Sequence, residues 1–289
     1  MLCEKGPLLL AANHPNSFLD AIIIASLFRS PVYFLARGDA FAGRVINRFL
    51  ASLNMFPVYR ISEGTENIEN NYATFDTCQK LFKQNKIVLI FSEGRCINEW
   101  RLRPLKKGTA RLAINAWENN IPLKVLPLGI NYSSFIFYGK NVVMNFGNII
   151  SKTDIDSYLS NGRFIKEFNE RLQSQLEKLV YEISFDDKEK QKKHFYAKQS
   201  LSKKIILFFP AIAGFMVNAP LYLTIHLIIK DHAKDHYDSI MTGLLFFLFP
   251  LYALALTLLL FFWTKNVYAF LLLALLPFSV WSYLQLKKQ

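Results

Sequence analysis

The sequence predicts an α/β domain, a largely buried sheet flanked by helices, followed by a C-terminal helical membrane region. Three observations carry this reading. Short β-rich runs alternate with segments of helical spacing through the first 185 residues. The chain then turns polar and lysine-rich between Asp186 and Lys204. Three apolar stretches follow with almost no charge.

The strands are expected at Leu8–Ala12, Val32–Ala36, Met55–Tyr59, Ile87–Phe91, Lys124–Asn131 and Val142–Phe146. Helices are expected over Ser17–Phe28, Phe41–Leu53, Asn67–Phe82 and Thr109–Glu118, where apolar residues recur three and four apart. A last amphipathic helix covers Phe164 to Ile183. Strand–helix alternation implies an α/β sandwich, whose chemistry sits in loops at strand ends. The division expected is a domain over residues 1–185, a basic linker over 186–204 and a membrane region over 205–289.

In the apolar region, Ile205–Ile229 has no charged side chain apart from His226, and Ile240–Trp263 has none. Both reach the roughly 20 residues needed to span a bilayer, and Val267–Leu286 sits at that length. Buried core helices are the plain alternative. Three in succession, without a polar face, have nothing soluble to pack against. Pro210 and Pro220 could kink or break the first segment. Only Thr264-Lys265-Asn266 separates the second from the third, which predicts a tight hairpin. The lysines before Ile205 predict a catalytic domain on the cytoplasmic side. They also favour anionic lipid.

A net charge of +12 on a chain that is 52% hydrophobic points to a membrane surface. Nucleic acid is the rival partner of a basic protein, but no nucleic-acid motif is present and none is expected to bind. Cys3, Cys78 and Cys96 lack metal-like spacing, and their odd number suits a reducing compartment. Met1 to Gly6 does not read as a signal peptide.

Four blocks carry the chemistry: Asn13-His14 to Asp20, Phe56-Pro57-Val58-Tyr59-Arg60, Phe91-Ser92-Glu93-Gly94-Arg95, and Val125-Leu126-Pro127-Leu128-Gly129. His14 and Asp20, at the turn from a strand into a helix, can be a base and its orienter. Alone they read better as a surface turn. Arg60, Arg95, Arg101, Arg103, Lys106 and Lys107 lie at or after strand ends, where guanidinium forks and ammonium charges suit phosphate oxygens. Any one of them is as readily a solvated charge; the cluster favours phosphate. Gly94 permits close backbone approach. Glu93, among these cations, is expected to be ionised and to fix an arginine or accept a substrate hydroxyl. Gly108-Thr109 opens a helix whose N-terminus favours an anion.

In residues and order, these blocks resemble the glycerolipid acyltransferases, of the 1-acyl-glycerol-3-phosphate and glycerol-3-phosphate acyltransferase type, over roughly Pro7 to Asn148. The resemblance implies a mixed, mostly parallel sheet. It also implies transfer of a fatty acyl group from a coenzyme A or acyl-carrier-protein thioester to a glycerol hydroxyl. His14 would be the base and Asp20 its partner. Arg60 and Glu93-Gly94-Arg95 would bind the acceptor's phosphate, with Arg101, Arg103, Lys106 and Lys107 nearby. Pro127 would shape the acyl-donor side. The thioester is already activated, so no cofactor or metal is expected. The acceptor expected first is lysophosphatidate, giving phosphatidate, with glycerol 3-phosphate second. A membrane-bound lipid-phosphate binder without catalysis is the alternative of another class.

The chain departs from the family pattern twice. Five residues separate His14 from Asp20 where four are usual, a spacing found in a related branch. In the third block Ser92 stands where the family has proline, and no threonine separates Gly94 from Arg95.

Outside these blocks, Asp231 to His236 holds two histidines at i, i+4, but a solvated loop is the better reading than a metal site. His226 is expected to be hydrogen-bonded among the apolar helices or to lie near their interface. Cys96 lacks a neighbouring base for thiol chemistry.

Overall fold

The computed structural model describes residues 6–41, 43–58, 68–155, 161–196, 200–231 and 236–287, with the side chains of 68–72 excepted. Six strands alternate with helices in the first part: β1 Leu8–Ala12, α1 Phe18–Ser26, β2 Val32–Arg37, α2 Arg44–Ser52, β3 Met55–Val58, α3 Ile68–Lys83, β4 Ile87–Phe91, α4 Gly108–Glu118, β5 Lys124–Tyr132, β6 Val142–Phe146 and α5 Asn161–Leu179. They form one sheet in the order β3-β2-β4-β1-β5-β6. The β1–β4, β1–β5, β2–β3 and β2–β4 pairs are all parallel.

β1 is buried along its whole length. A central parallel strand is covered on both faces, so it reads as the unbroken run Leu-Leu-Leu-Ala-Ala. Leu9 and Ala11 share one face with Val88 and pack under α4 and α5. Trp117 anchors that layer. Its indole donates to the Leu123 carbonyl at 2.8 Å, and Phe164 and Phe168 meet it edge-on. Phe168, Leu172 and Leu176 follow at four-residue spacing, which seats α5 on the same core. Close approach is built in at Gly129: a Cβ there would fall 2.5 Å from the Leu179 carbonyl oxygen.

The described chain divides into two compact units, each discontinuous in sequence. The first comprises Met1–Pro15, Leu19–Asn131 and Met144–Glu182. The second comprises Asn16–Phe18, Tyr132–Val143 and Ile183–Gln289. Within the stretch expected as a basic linker, α6 Lys188–Phe195 forms a short helix, capped by the Asp187 side chain accepting from the Lys190 N–H.

Three helices of the second unit are long and apolar enough to cross a membrane: α7 Leu201–Ile229, α8 Tyr237–Thr264, and the segment Val267–Lys287 that ends in α9 Leu272–Lys287. α7 runs unbroken through Pro210 and Pro220. Polar side chains support that stretch: Asn218 donates to the Gly214 carbonyl and Tyr252 to that of Val217, at 2.8 and 2.6 Å. Gly214 lets α7 approach α9 closely, since a Cβ would meet the Ser279 carbonyl at 2.4 Å. The expected hairpin between α8 and the third segment turns on Lys265, in the left-handed conformation, and on Asn266, which caps the next helical turn. His226 lies among these helices, 2.7 Å from the Tyr237 hydroxyl. Phe209, Phe246, Phe247 and Trp263 point outward, as side chains meeting lipid would.

Candidate active site

Because β1 and β4 are parallel neighbours with Ala12 opposite Phe91, the loops that follow them leave the sheet at the same level. His14 and Glu93 each lie two residues beyond those partners. The topology thus sets the first and third sequence blocks side by side. β3 is parallel in the same sheet, so its C-terminal end faces the same edge. Arg60, which follows it, lies outside the described residues.

The loop after β1 is fixed before it reaches the histidine. Asn13 is buried, and its side-chain amide exchanges two hydrogen bonds with the Ile130 backbone, at 2.8 and 3.0 Å. It extends the β1–β5 ladder with a side chain where the backbone turns away. His14 follows. Its N–H donates to Glu93 Oε2 at 2.9 Å, and its ring stacks on Phe91 with centroids 3.8 Å apart and planes 9° from parallel. Nδ1 lies 2.8 Å from Asp20 Oδ2. Asp20 is fully buried in the first turn of α1, whereas the His14 side chain keeps 19% of its surface. A carboxylate at Nδ1 holds the proton there and leaves Nε2 as the accepting nitrogen. Nε2 makes no hydrogen bond to any described residue.

Glu93 is buried among its neighbours, not displayed toward solvent. Its second oxygen accepts from the Arg103 N–H at 2.9 Å, so one carboxylate ties the His14 loop to the basic loop. Burial pushes its pKa above the ordinary carboxylate value; the two backbone donors and the nearby His14 and Arg103 act in the opposite sense. Ser92, where the resemblance implies proline, donates its N–H to the Ala12 carbonyl at 2.9 Å, which proline could not do. Its hydroxyl accepts from Thr109 at 3.0 Å, which links β4 to the start of α4.

The cations divide by environment. Arg95, Arg101, Lys106 and Lys107 are exposed. Arg103 is half-buried and paired with Glu99 at 3.1 Å. Gly94 has φ +65°, and a Cβ there would meet Lys106 Cγ at 3.0 Å, so the tight turn brings the lysine stem against the backbone. Pro127 is buried within β5, opposite Ala11 of β1, and its carbonyl accepts from the Gly147 N–H at 2.9 Å. Of the histidine pair in the Asp231–His236 loop, His232 lies outside the described residues. His236 Nδ1 is 2.9 Å from the Ser17 hydroxyl.

Two contributors, Asn13 and Phe91, stood in the sequence blocks without a role assigned to them. Asn13 left a signal: a polar residue directly after a fully apolar strand. The stacking of Phe91 left none, because it depends on β4 lying next to β1.

Comparison with known proteins finds similarity to acyltransferases. Residues 1–131 match the family model described as Acyltransferase. The chain is 24% identical over 143 residues to a 1-acyl-sn-glycerol-3-phosphate acyltransferase, BAT2, chloroplastic, of Brassica napus, a match covering 50% of this chain and 38% of that one. The chain therefore spans well under half of that relative's length. Among solved structures, the 1-acyl-sn-glycerophosphate (LPA) acyltransferase PlsC of Thermotoga maritima is similar at 15% identity and a TM-score of 0.42, over 59% of this chain and 64% of that one. By the domain that holds His14, Asp20 and Glu93, the chain is similar to the acyltransferases.

Proposed function

We propose that the protein transfers a fatty acyl group from a coenzyme A or acyl-carrier-protein thioester to the free hydroxyl of lysophosphatidate, producing phosphatidate for phospholipid synthesis. The observation that carries this reading is the 2.8 Å contact between His14 Nδ1 and Asp20 beside a loop rich in exposed cations. A lipid-phosphate binder would need the cations but not the pair.

His14 Nε2 takes the proton of the acceptor hydroxyl as its oxygen attacks the thioester carbonyl. Asp20 holds the ring and stabilises the imidazolium. The stacked Phe91 fixes the ring plane. Collapse of the tetrahedral intermediate expels the thiolate, which takes the proton from His14, giving ester and free thiol. No acyl-enzyme is needed, and holding both substrates together supplies much of the acceleration. The acceptor's phosphate is met by Arg95, Arg101, Lys106 and Lys107, and Arg60 is assigned to the same role. Pro127 belongs to the acyl-donor side. The lysine-rich approach to α7 supports the cytoplasmic face of a membrane as the side for this chemistry.

The test is an assay of the full chain in phospholipid vesicles. Lysophosphatidate and glycerol 3-phosphate are compared as acceptors, each with both thioester carriers. Phosphatidate formed from lysophosphatidate, and lost in His14→Ala, is the expected result. Faster acylation of glycerol 3-phosphate would reassign the acceptor. Absence of ester from every pairing would leave the binder reading.

A further inference from the structure

The spacer between His14 and Asp20 is held as firmly as the pair itself. Three successive carbonyls accept hydrogen bonds: His14 from the Ile97 N–H at 3.3 Å, Pro15 from Asn98 Nδ2 at 2.7 Å, and Asn16 from the Ser239 hydroxyl at 3.2 Å. The middle of the spacer, Asn16 to Phe18, packs as part of the second compact unit. There the first turn of α8 grips it. Asn16 Nδ2 donates to Asp238 Oδ2 at 2.6 Å, and the Ser17 hydroxyl pairs with His236. Asn16 and Asp238 are 0% and 1% exposed. Lys140, only 8% exposed in its side chain, forms an ion pair with the same Asp238 oxygen.

A buried carboxylate and ammonium are costly to desolvate, so replacing such a pair by apolar residues is often neutral or stabilising. The pair is therefore poorly explained by stability alone. The spacer has one residue more than the family's usual four, and it places Ser17 at φ +53°, in the left-handed region. A turn of that shape lacks intrinsic preference in a non-glycine residue, so its neighbours must specify it.

We propose that Asp238, charge-balanced by Lys140, is a positioning residue that sets the His14–Asp20 geometry by holding Asn16. The first turn of an apolar, membrane-type helix is then part of the machinery for acyl transfer. This rests on the acyl-transfer reading of the site.

The experiment is a swap cycle on the full chain in vesicles, with kcat, both KM values and thermal unfolding measured for each variant. Asn16→Asp sets a second carboxylate against Asp238, and Asp238→Asn leaves Lys140 without its counter-charge, with one amide oxygen to serve both Asn16 and Lys140. Each is expected to lower kcat 10- to 100-fold while KM changes less than about threefold. The double variant Asn16→Asp/Asp238→Asn restores a matched pair, keeps one carboxylate beside Lys140, and should recover kcat to within about fivefold of the starting protein. Asn16→Ala, which leaves the Lys140–Asp238 pair intact, should lower kcat likewise with little change in melting temperature. Full kcat in Asn16→Ala, or a double variant no better than the worse single one, overturns the proposal. So does a loss of kcat that only follows the loss of melting temperature. A starting protein that forms no ester overturns the acyl-transfer reading instead.

Discussion

His14 is held at four points: its N–H by Glu93, its carbonyl by Ile97, its Nδ1 by Asp20 and its ring face by Phe91. A ring held in this way needs little reorganisation to serve as the general base proposed for it. His14→Ala should lower kcat by about 10² to 10⁴, the usual worth of a positioned base, with acceptor binding largely kept; initial-rate kinetics measure both. Glu93 makes a separate prediction. Glu93→Gln keeps one acceptor and turns an amide N–H₂ toward a backbone donor, so it should cost about 1–3 kcal/mol of stability. The pH dependence has a definite sign. Burial raises the folded pKa of Glu93 above its unfolded value, so its favourable contribution is full below the unfolded pKa and fades as pH rises through the folded one. The deficit of Glu93→Gln should therefore narrow as the pH is raised from about 4.5, a trend that thermal unfolding across pH would show.

At the scale of elements, the ends of adjacent strands are where sequence departures become structural gains. Ser92 adds a ladder bond at the end of β4 and a side-chain bond to α4. β5 depends on an absent side chain. A Cβ at Gly129 would collide with backbone at Leu179, which cannot move aside like a flexible side chain. Gly129→Ala should lower stability by about 1–3 kcal/mol, the usual cost of overpacking, read as a fall in melting temperature. In α3, Cys78 is buried in the main core and its thiol pKa is pushed up to about 12. Folded protein at pH 8 should leave Cys78 unmodified by iodoacetamide and should alkylate it in denaturant, as peptide mass spectrometry would report.

On the scale of the whole molecule, a basic α/β unit is followed by three helices long and apolar enough to cross a membrane. If all three span, an odd number of crossings places residues before α7 and after α9 on opposite sides. A cysteine introduced at Ser184 should be shielded from an impermeant maleimide in right-side-out vesicles, and one introduced at Gln289 should be labelled. The reverse pattern would put the residues before α7 on the outer face. Lysine density before α7 also predicts faster turnover on vesicles containing anionic lipid than on neutral ones, with the difference shrinking as salt is raised.

All six strands and the helices between them were legible from the sequence, nearly to the residue at Leu8–Ala12 and Ile87–Phe91. Their apolar runs and three-to-four spacing are local properties of the chain. The His14–Asp20 pair was legible too, since only five residues separate a base from a carboxylate, although the neighbours that hold the turn between them were not. The sequence also marked the exposed cations, but it could not assign Glu93 to the two backbone donors that hold it. Those contacts follow from the order β3-β2-β4-β1-β5-β6, which seats β4 against β1. Parallel pairing is non-local, and one buried apolar strand is chemically as good a neighbour as another. The bond from Asn16 to Asp238, 222 residues apart, belongs to the same class. The sequence by itself marked the groups proposed for chemistry and the segments apolar enough for lipid. Only the tertiary structure decided which distant residues hold those groups in place, because that depends on packing partners that local sequence does not encode.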